Sequence, residues 1–120
     1  MGDERRRIGA IGEAMAAGLL ELQGCTVLQR NVRCADVEVD LVARQDACLV
    51  LVEVKLRGHA GFAPSDGMRP QQRLRLRRAA GALFARHPWA REVRIDLVAV
   101  DWRAAEGRVC LQQMRGVLSD

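Results

Sequence analysis

The sequence predicts an α/β fold: a mixed β-sheet flanked by helices, in the order α-β-β-β-α-β-β. Three observations carry that prediction. Apolar residues before Gly24 recur at spacings of three and four, as on one face of a helix. Between Cys25 and Arg57 the period switches to two, interrupted by short polar turns. After a stretch rich in Gly and Pro, one further helical pattern and two further strand patterns follow, which is the ordering of a layered α/β domain.

The first helix is expected from Ile8 to about Gln23. Ile8, Ile11, Met15, Leu19 and Leu22 make one apolar stripe, widened by Gly9, Ala16, Ala17 and Leu20. Gly24 supplies a C-terminal stop. Glu13 falls beside the buried arc, so its carboxylate needs a partner. Strands are expected at Cys25 to Arg33 and Asp36 to Arg44. In Val37-Glu38-Val39-Asp40-Leu41 strict alternation places Glu38 and Asp40 on one face and the apolar residues on the other. Gln45-Asp46-Ala47 makes a short turn, so the third strand, Cys48 to Arg57, pairs antiparallel with the second. On it Leu49, Leu51, Glu53, Lys55 and Arg57 share one face, and Val50, Val52, Val54 and Leu56 the other. Both faces are mostly apolar until Glu53, which marks a central strand covered on both sides.

Gly58 to Pro70, with Gly61, Pro64 and Gly67 between, reads as a loop. The second helix is expected from about Pro70 to His87, with Leu76, Ala80, Leu83 and Phe84 as its apolar stripe. Arg69, Arg73 and Arg77 line up four apart on another side. His87-Pro88 ends it. Val93 to Asp101 and Gly107 to Met114 are the last strands. No repeat, low-complexity tract or linker interrupts the pattern, so residues 1–120 read as a single domain with its core at about 8–101.

At 120 residues, 49% hydrophobic and 28% charged, the composition is that of a soluble globular protein with room for a real core. No apolar run approaches the roughly 20 residues a bilayer span needs. The first residues hold no signal-peptide core, and Arg6 stands where a myristoylation signal requires Ser or Thr. A cytoplasmic protein is expected. Cys25, Cys34, Cys48 and Cys110 have no C-x-x-C spacing and no paired histidines, which argues against zinc and for reduced core thiols. The net charge of +4 is unevenly placed: eight Arg and one Glu between Arg69 and Arg94 give +7 there, leaving −3 for the rest. Such a block fits a polyanion partner, or else a solvated Arg-rich face. Trp89 and Trp102 are expected to pack, and no aromatic cluster offers a platform for stacking bases. His59 and His87 read as loop and helix-end residues, and Asp96 as an anchor for its strand through a neighbouring Arg.

Lys55 is the only lysine in the chain, against eighteen arginines. Arg stays charged, whereas the compact ammonium of Lys responds to burial and to neighbours. Glu53 lies two residues before it on the same strand face, and the hairpin brings Asp40 alongside. Two carboxylates and a lysine are costly to bury unless paired or bound to a metal. Hard oxygens from Asp40 and Glu53, with the main-chain carbonyl of Val54, suit Mg²⁺ or Mn²⁺. A metal there polarises a phosphate and acidifies a bound water. Lys55 then holds the attacking water and offsets charge on the phosphate. Glu13 is placed to serve the outer shell or a second ion. The alternative for Asp40, Glu53 and Lys55 is a cross-strand salt bridge; for Glu13, a pairing with Arg57 or Arg30.

Asp40 followed by Glu53-Val54-Lys55 has the form of the PD-(D/E)XK nuclease signature. Gly12-Glu13-Ala14, Gln29-Arg30-Asn31-Val32-Arg33, Val37-Glu38-Val39-Asp40-Leu41-Val42-Ala43, Val52-Glu53-Val54-Lys55-Leu56-Arg57 and Arg94-Ile95-Asp96-Leu97-Val98-Ala99-Val100 extend the match in order. The chain thus resembles the YraN family of small bacterial proteins, also called UPF0102, from about Ile8 to Asp101. The family is similar in fold to archaeal Holliday junction resolvases and restriction endonucleases, which implies a restriction-endonuclease-like core. The resemblance carries Glu13, Asp40, Glu53 and Lys55 onto the family's active-site pattern. Two positions depart from it. Val37 replaces a Gly before the metal strand, and Gln72 stands where the second helix usually has a Lys.

Three readings follow. The first is a Mg²⁺- or Mn²⁺-dependent endonuclease acting on DNA, including branched or damaged DNA, with Arg57, Arg69, Gln72, Arg73 and Arg77 toward the nucleic acid. A symmetric homodimer would suit two-strand cutting. The second is a DNA-binding module that keeps the fold without cutting, motivated by Gln72. The third is a protein-interaction domain with no nucleic-acid role.

Overall fold

The computed structural model describes residues 2–57, 68–103 and 106–117, with the side chains of residues 5, 57 and 103 outside that description. Two helices and five strands follow in the expected order: α1 (Gly2–Leu22), β1 (Thr26–Cys34), β2 (Val37–Gln45), β3 (Cys48–Arg57), α2 (Pro70–Ala85), β4 (Glu92–Arg103) and β5 (Arg108–Met114). The strands form one sheet in the order β1-β2-β3-β4-β5. Neighbours pair antiparallel except β3 and β4, which run parallel. A parallel pair needs a crossover, and α2 supplies it. The arrangement is compatible with a restriction-endonuclease-like core.

The helices cover opposite faces. On one, Leu76, Ala79, Ala80 and Leu83 of α2 bury Leu49, Leu51 and Ile95. On the other, Ala16, Ala17 and Leu20 of α1 bury Leu41, Val50, Val52, Val98 and Val100. β3 is therefore central and covered on both sides, as its continuous apolar run requires.

α1 seats differently from the expected stripe. It starts at Gly2, with Asp3 and Glu4 in its first turn, where carboxylates favour the positive end of the helix dipole. Ile11 is 53% exposed and Leu22 89% exposed, while Ala16 and Ala17 are fully buried. The small residues face the sheet because they let the helix approach closely. A Cβ on Gly12 would lie 3.2 Å from Leu56 Cδ1. In α2, likewise, Ala79 is fully buried while Phe84 is 37% exposed.

The decisive irregularity is in β2. Its ladder with β3 runs from Gln45↔Cys48 to Leu41↔Val52 and stops there. Val39 packs in the α2 layer and Leu41 in the α1 layer, although strict alternation would put both on one face. The expected shared face for Val37, Val39 and Leu41 is thus overturned: the strand turns about its axis at Asp40. β1 stays paired with β2 as far as Cys34↔Val37. The outer half of this hairpin becomes an arm that leaves β3 and folds toward α2, where Val32, Cys34, Val37 and Val39 pack. Ala35 and Asp36 turn its tip at φ 52° and 62°.

Asp96 is fully buried and anchors β4, as its sequence suggested. Arg94 Nε donates to both its oxygens at 3.0 and 3.1 Å, Gln113 Nε2 donates at 3.1 Å and the Gly116 N–H at 3.0 Å. Cys25, Cys34 and Cys48 are buried thiols, whereas Cys110 is exposed on β5, contrary to the expectation of four core thiols. Trp89 packs under the Arg44 guanidinium, 4.2 Å from its ring centre, and edge-on to His87. Of the expected loop from Gly58 to Pro70, residues 58–67, with His59, lie outside the described residues. No helix among the described residues is long and apolar enough to cross a membrane.

Candidate active site

The site forms where β2 parts from β3. Beyond Val52, the β3 main chain on that side has lost its ladder partner. Asp40 Oδ2 takes the Val54 N–H instead, at 2.7 Å. In an extended strand the N–H and C=O of one residue point to the same edge. The Val54 carbonyl therefore projects beside Asp40, from the edge that β2 has vacated. Glu53 and Lys55, on either side of Val54, turn toward the α2 layer with Leu49 and Leu51.

α2 closes the arrangement. Gln72 Nε2 donates to Glu53 Oε1 at 3.1 Å, and Gln72 Oε1 accepts from Lys55 Nζ at 3.3 Å. Lys55 Nζ also stands 3.4 Å from Glu53 Oε1. The three side chains form a closed triangle, with both contacts to Glu53 falling on one carboxylate oxygen. Glu53 and Lys55 side chains are 12% and 20% exposed, so these bonds are only partly screened by water.

The electrostatics are those of crowded carboxylates. Asp40 is pushed up from 3.8 to about 7, first by burial, then by the charge of Glu53; the Val54 N–H opposes, and Glu13 and Glu38 add smaller repulsions. Glu53 is also raised by burial, against the pull of Lys55 and the Gln72 bond. A bound cation would relieve this repulsion. Among the described residues no three His, Cys, Asp or Glu side chains gather to hold an ion by themselves. The donors offered are two carboxylates and one main-chain carbonyl, all hard oxygens. That set leaves room for several waters and fits Mg²⁺ or Mn²⁺ better than a metal wanting nitrogen or sulfur.

The expected residues do not all converge. Asp40, Glu53, Lys55 and Val54 come together, and Glu13 on half-buried α1 is near enough for its charge to be felt at Asp40. Arg69 and Gln72 line a cleft of about 340 Å³ that opens beside Glu53. Arg73 instead donates to the Val117 carbonyl at 3.1 Å, tying α2 to the chain after β5. Arg77 is exposed on α2, and the Arg57 side chain lies outside the described residues. Arg75, Asp36 and Glu38, none of them among the expected site residues, also line the cleft. Gln72 and Arg75 lie three apart on α2, with Arg69 at its N-cap, a signal that the four-residue spacing of Arg69, Arg73 and Arg77 obscured.

Comparison with known proteins agrees with the extent of the motif-bearing segments. The sequence model of the uncharacterised protein family UPF0102 matches residues 12–100, which hold Glu13, Asp40, Glu53, Lys55 and Gln72. A UPF0102 protein of Beutenbergia cavernae is 46% identical over 112 residues, covering 92% of this chain and 94% of that protein. Another, from Moorella thermoacetica, is 45% identical over 107 residues, 88% of each chain. A third, from Kineococcus radiotolerans, is 40% identical over 113 residues and 92% of each chain. With the match running through both layers of the fold and every residue of the candidate site, the chain belongs to the UPF0102 family.

Proposed function

We propose that this protein is a metal-dependent endonuclease that hydrolyses DNA phosphodiesters at Asp40, Glu53 and Lys55. One observation carries the reading. Asp40 and the Val54 main chain meet at a break in the sheet, beside Glu53 and the chain's single lysine. A salt bridge alone would explain Glu53 and Lys55. It leaves Asp40 partly buried among like charges, at a cost that only a cation or a proton removes.

Asp40, Glu53 and the Val54 carbonyl would hold Mg²⁺ or Mn²⁺, with Glu13 toward the outer shell or a second ion. When bound, the ion supplies a polarised phosphate oxygen and a more acidic water. The chain's own residues do the rest. The Val54 N–H fixes the Asp40 carboxylate in one orientation. Glu53 and Gln72 hold the Lys55 ammonium, which orients the attacking water and offsets charge developing on the phosphate. Arg69 and Arg75 supply positive charge for the phosphates on either side.

The second reading is a DNA-binding module that does not cut, and one observation favours it. Gln72 engages both Glu53 and Lys55 at a position where the resemblance leads one to expect a lysine. Purified protein with Mg²⁺ or Mn²⁺ and a panel of linear, nicked, flapped and four-way DNAs separates the two. Cleavage that disappears in Asp40→Asn and Lys55→Ala supports the nuclease. Binding without cleavage of any substrate supports the module. Cleavage undiminished in both variants overturns the assignment of the site.

A further inference from the structure

The cleft beside Glu53 has two walls of opposite charge. The hairpin arm contributes Asp36 and Glu38, α2 contributes Arg75 and its N-cap Arg69, and Glu53 lies between them. A surface built only to follow the DNA backbone would be basic on both sides, because carboxylates repel phosphates. Opposed walls instead fit a ligand with an anionic end and a hydrogen-bond-donating end, since ionised carboxylates only accept. A volume of about 340 Å³ is in the range that takes a single small-molecule-sized group such as one nucleotide. Cytosine, adenine and guanine present an exocyclic amino group with two donor hydrogens, enough for two carboxylates, whereas unpaired thymine offers only its ring N3–H.

We propose that the cleft between the β1–β2 arm and α2 receives one unpaired, amino-bearing nucleotide next to the bond to be cut. Its phosphate lies against Arg69 and Arg75, and its base amino group donates to Asp36 and Glu38. The inference rests on the nuclease reading for its place beside the scissile bond. It adds a substrate class: DNA with an unpaired nucleotide there, as in a flap or a frayed end. A paired base would have to be unstacked first, whereas an unpaired one enters at little cost. Selection works through hydrogen bonds, so no aromatic platform is required. The same break at Asp40 that frees the Val54 edge swings the arm over to form the acidic wall.

The test is fluorescence anisotropy of the full chain in EDTA with short labelled oligo-dC and oligo-dT, pyrimidines of similar size. Oligo-dC should bind at least about fivefold more tightly. In the Asp36→Asn, Glu38→Gln double variant, oligo-dT should bind more tightly than to wild type, because repulsion is relieved. The dC-over-dT ratio should fall toward one. Both positions are exposed, so the fold does not depend on them. Equal binding of the two oligonucleotides by wild type overturns the proposal, and so does an unchanged ratio in the variant. Because no metal is present, the outcomes separate. Base preference without cleavage of the DNA panel sinks the nuclease reading and keeps the nucleotide site. Cleavage without base preference does the reverse.

Discussion

Asp40→Asn should stabilise this protein at pH 8 in EDTA while destroying the function proposed for it. A carboxyl moved from 3.8 to about 7 binds its proton more tightly in the folded than in the unfolded chain. Stability linked to it is therefore fully present below about pH 4 and is lost as pH rises through about 7. The full displacement sets an upper bound of about 4 kcal/mol at pH 8. Partial solvent screening reduces that, and the neutral amide of Asn accepts the Val54 N–H about 1 kcal/mol less strongly than a carboxylate. A net gain of roughly 1–3 kcal/mol remains, which raises Tm by about 4–10 °C in a domain of this size. Thermal denaturation of both proteins at pH 8 and at pH 5 reads it. At pH 5 wild-type Asp40 is already protonated, so the gain should vanish or reverse. Adding Mg²⁺ at pH 8 should raise the wild-type Tm and leave the variant nearly unchanged. A variant less stable than wild type at pH 8, or a gain equal at both pH values, refutes the account of repelling carboxylates at an ion site.

Three further outcomes test separate parts of the structure. Asp96→Ala removes the acceptor for Arg94, Gln113 and the Gly116 N–H in a fully buried position, and should cost about 3–5 kcal/mol in denaturant unfolding; a loss below about 1 kcal/mol contradicts the anchor. Lys55→Ala should reduce single-turnover cleavage by about 100-fold or more while lowering DNA affinity in EDTA only slightly; parallel losses in both would make Lys55 a binding residue. Gln72→Lys keeps a donor for Glu53 but removes the acceptor for Lys55. It should steepen the salt dependence of DNA binding by about one counterion, and an unchanged slope would place residue 72 away from the phosphates.

Much of the fold is legible in the sequence because periodicity is local. Cys48–Arg57 is recognised end to end, since its two apolar faces admit no other element in a central position. α1 is recognised as a helix, and Ala16, Ala17 and Leu20 of its expected arc are buried, but Ile11 and Leu22 fall outside it. Hydrophobicity favours the large Ile11 and Leu22, whereas close approach to the sheet favours Gly12, beside Leu56, and the fully buried Ala16. The relative exposure of large and small apolar residues depends on how near the sheet the helix lies, and no spacing in the sequence encodes that distance.

The chemistry follows the same division. The sequence determined the kinds of groups: one lysine among arginines, a carboxylate two residues before it, and another across a hairpin turn. Those are properties of composition and short-range order, and they suffice to suggest a hydrolytic metal site. Only the tertiary structure decided how they meet. Strict alternation would have kept β2 flat against β3, with Val54 held in a ladder. Instead β2 turns at Asp40, Val39 and Leu41 part to opposite layers, and the Val54 edge is released to the Asp40 carboxylate. The same turn carries Asp36 and Glu38 across to face Arg69 and Arg75. A strand turns in this way when burying apolar groups on both faces outweighs continuing its hydrogen bonds, a balance struck between residues far apart in the chain.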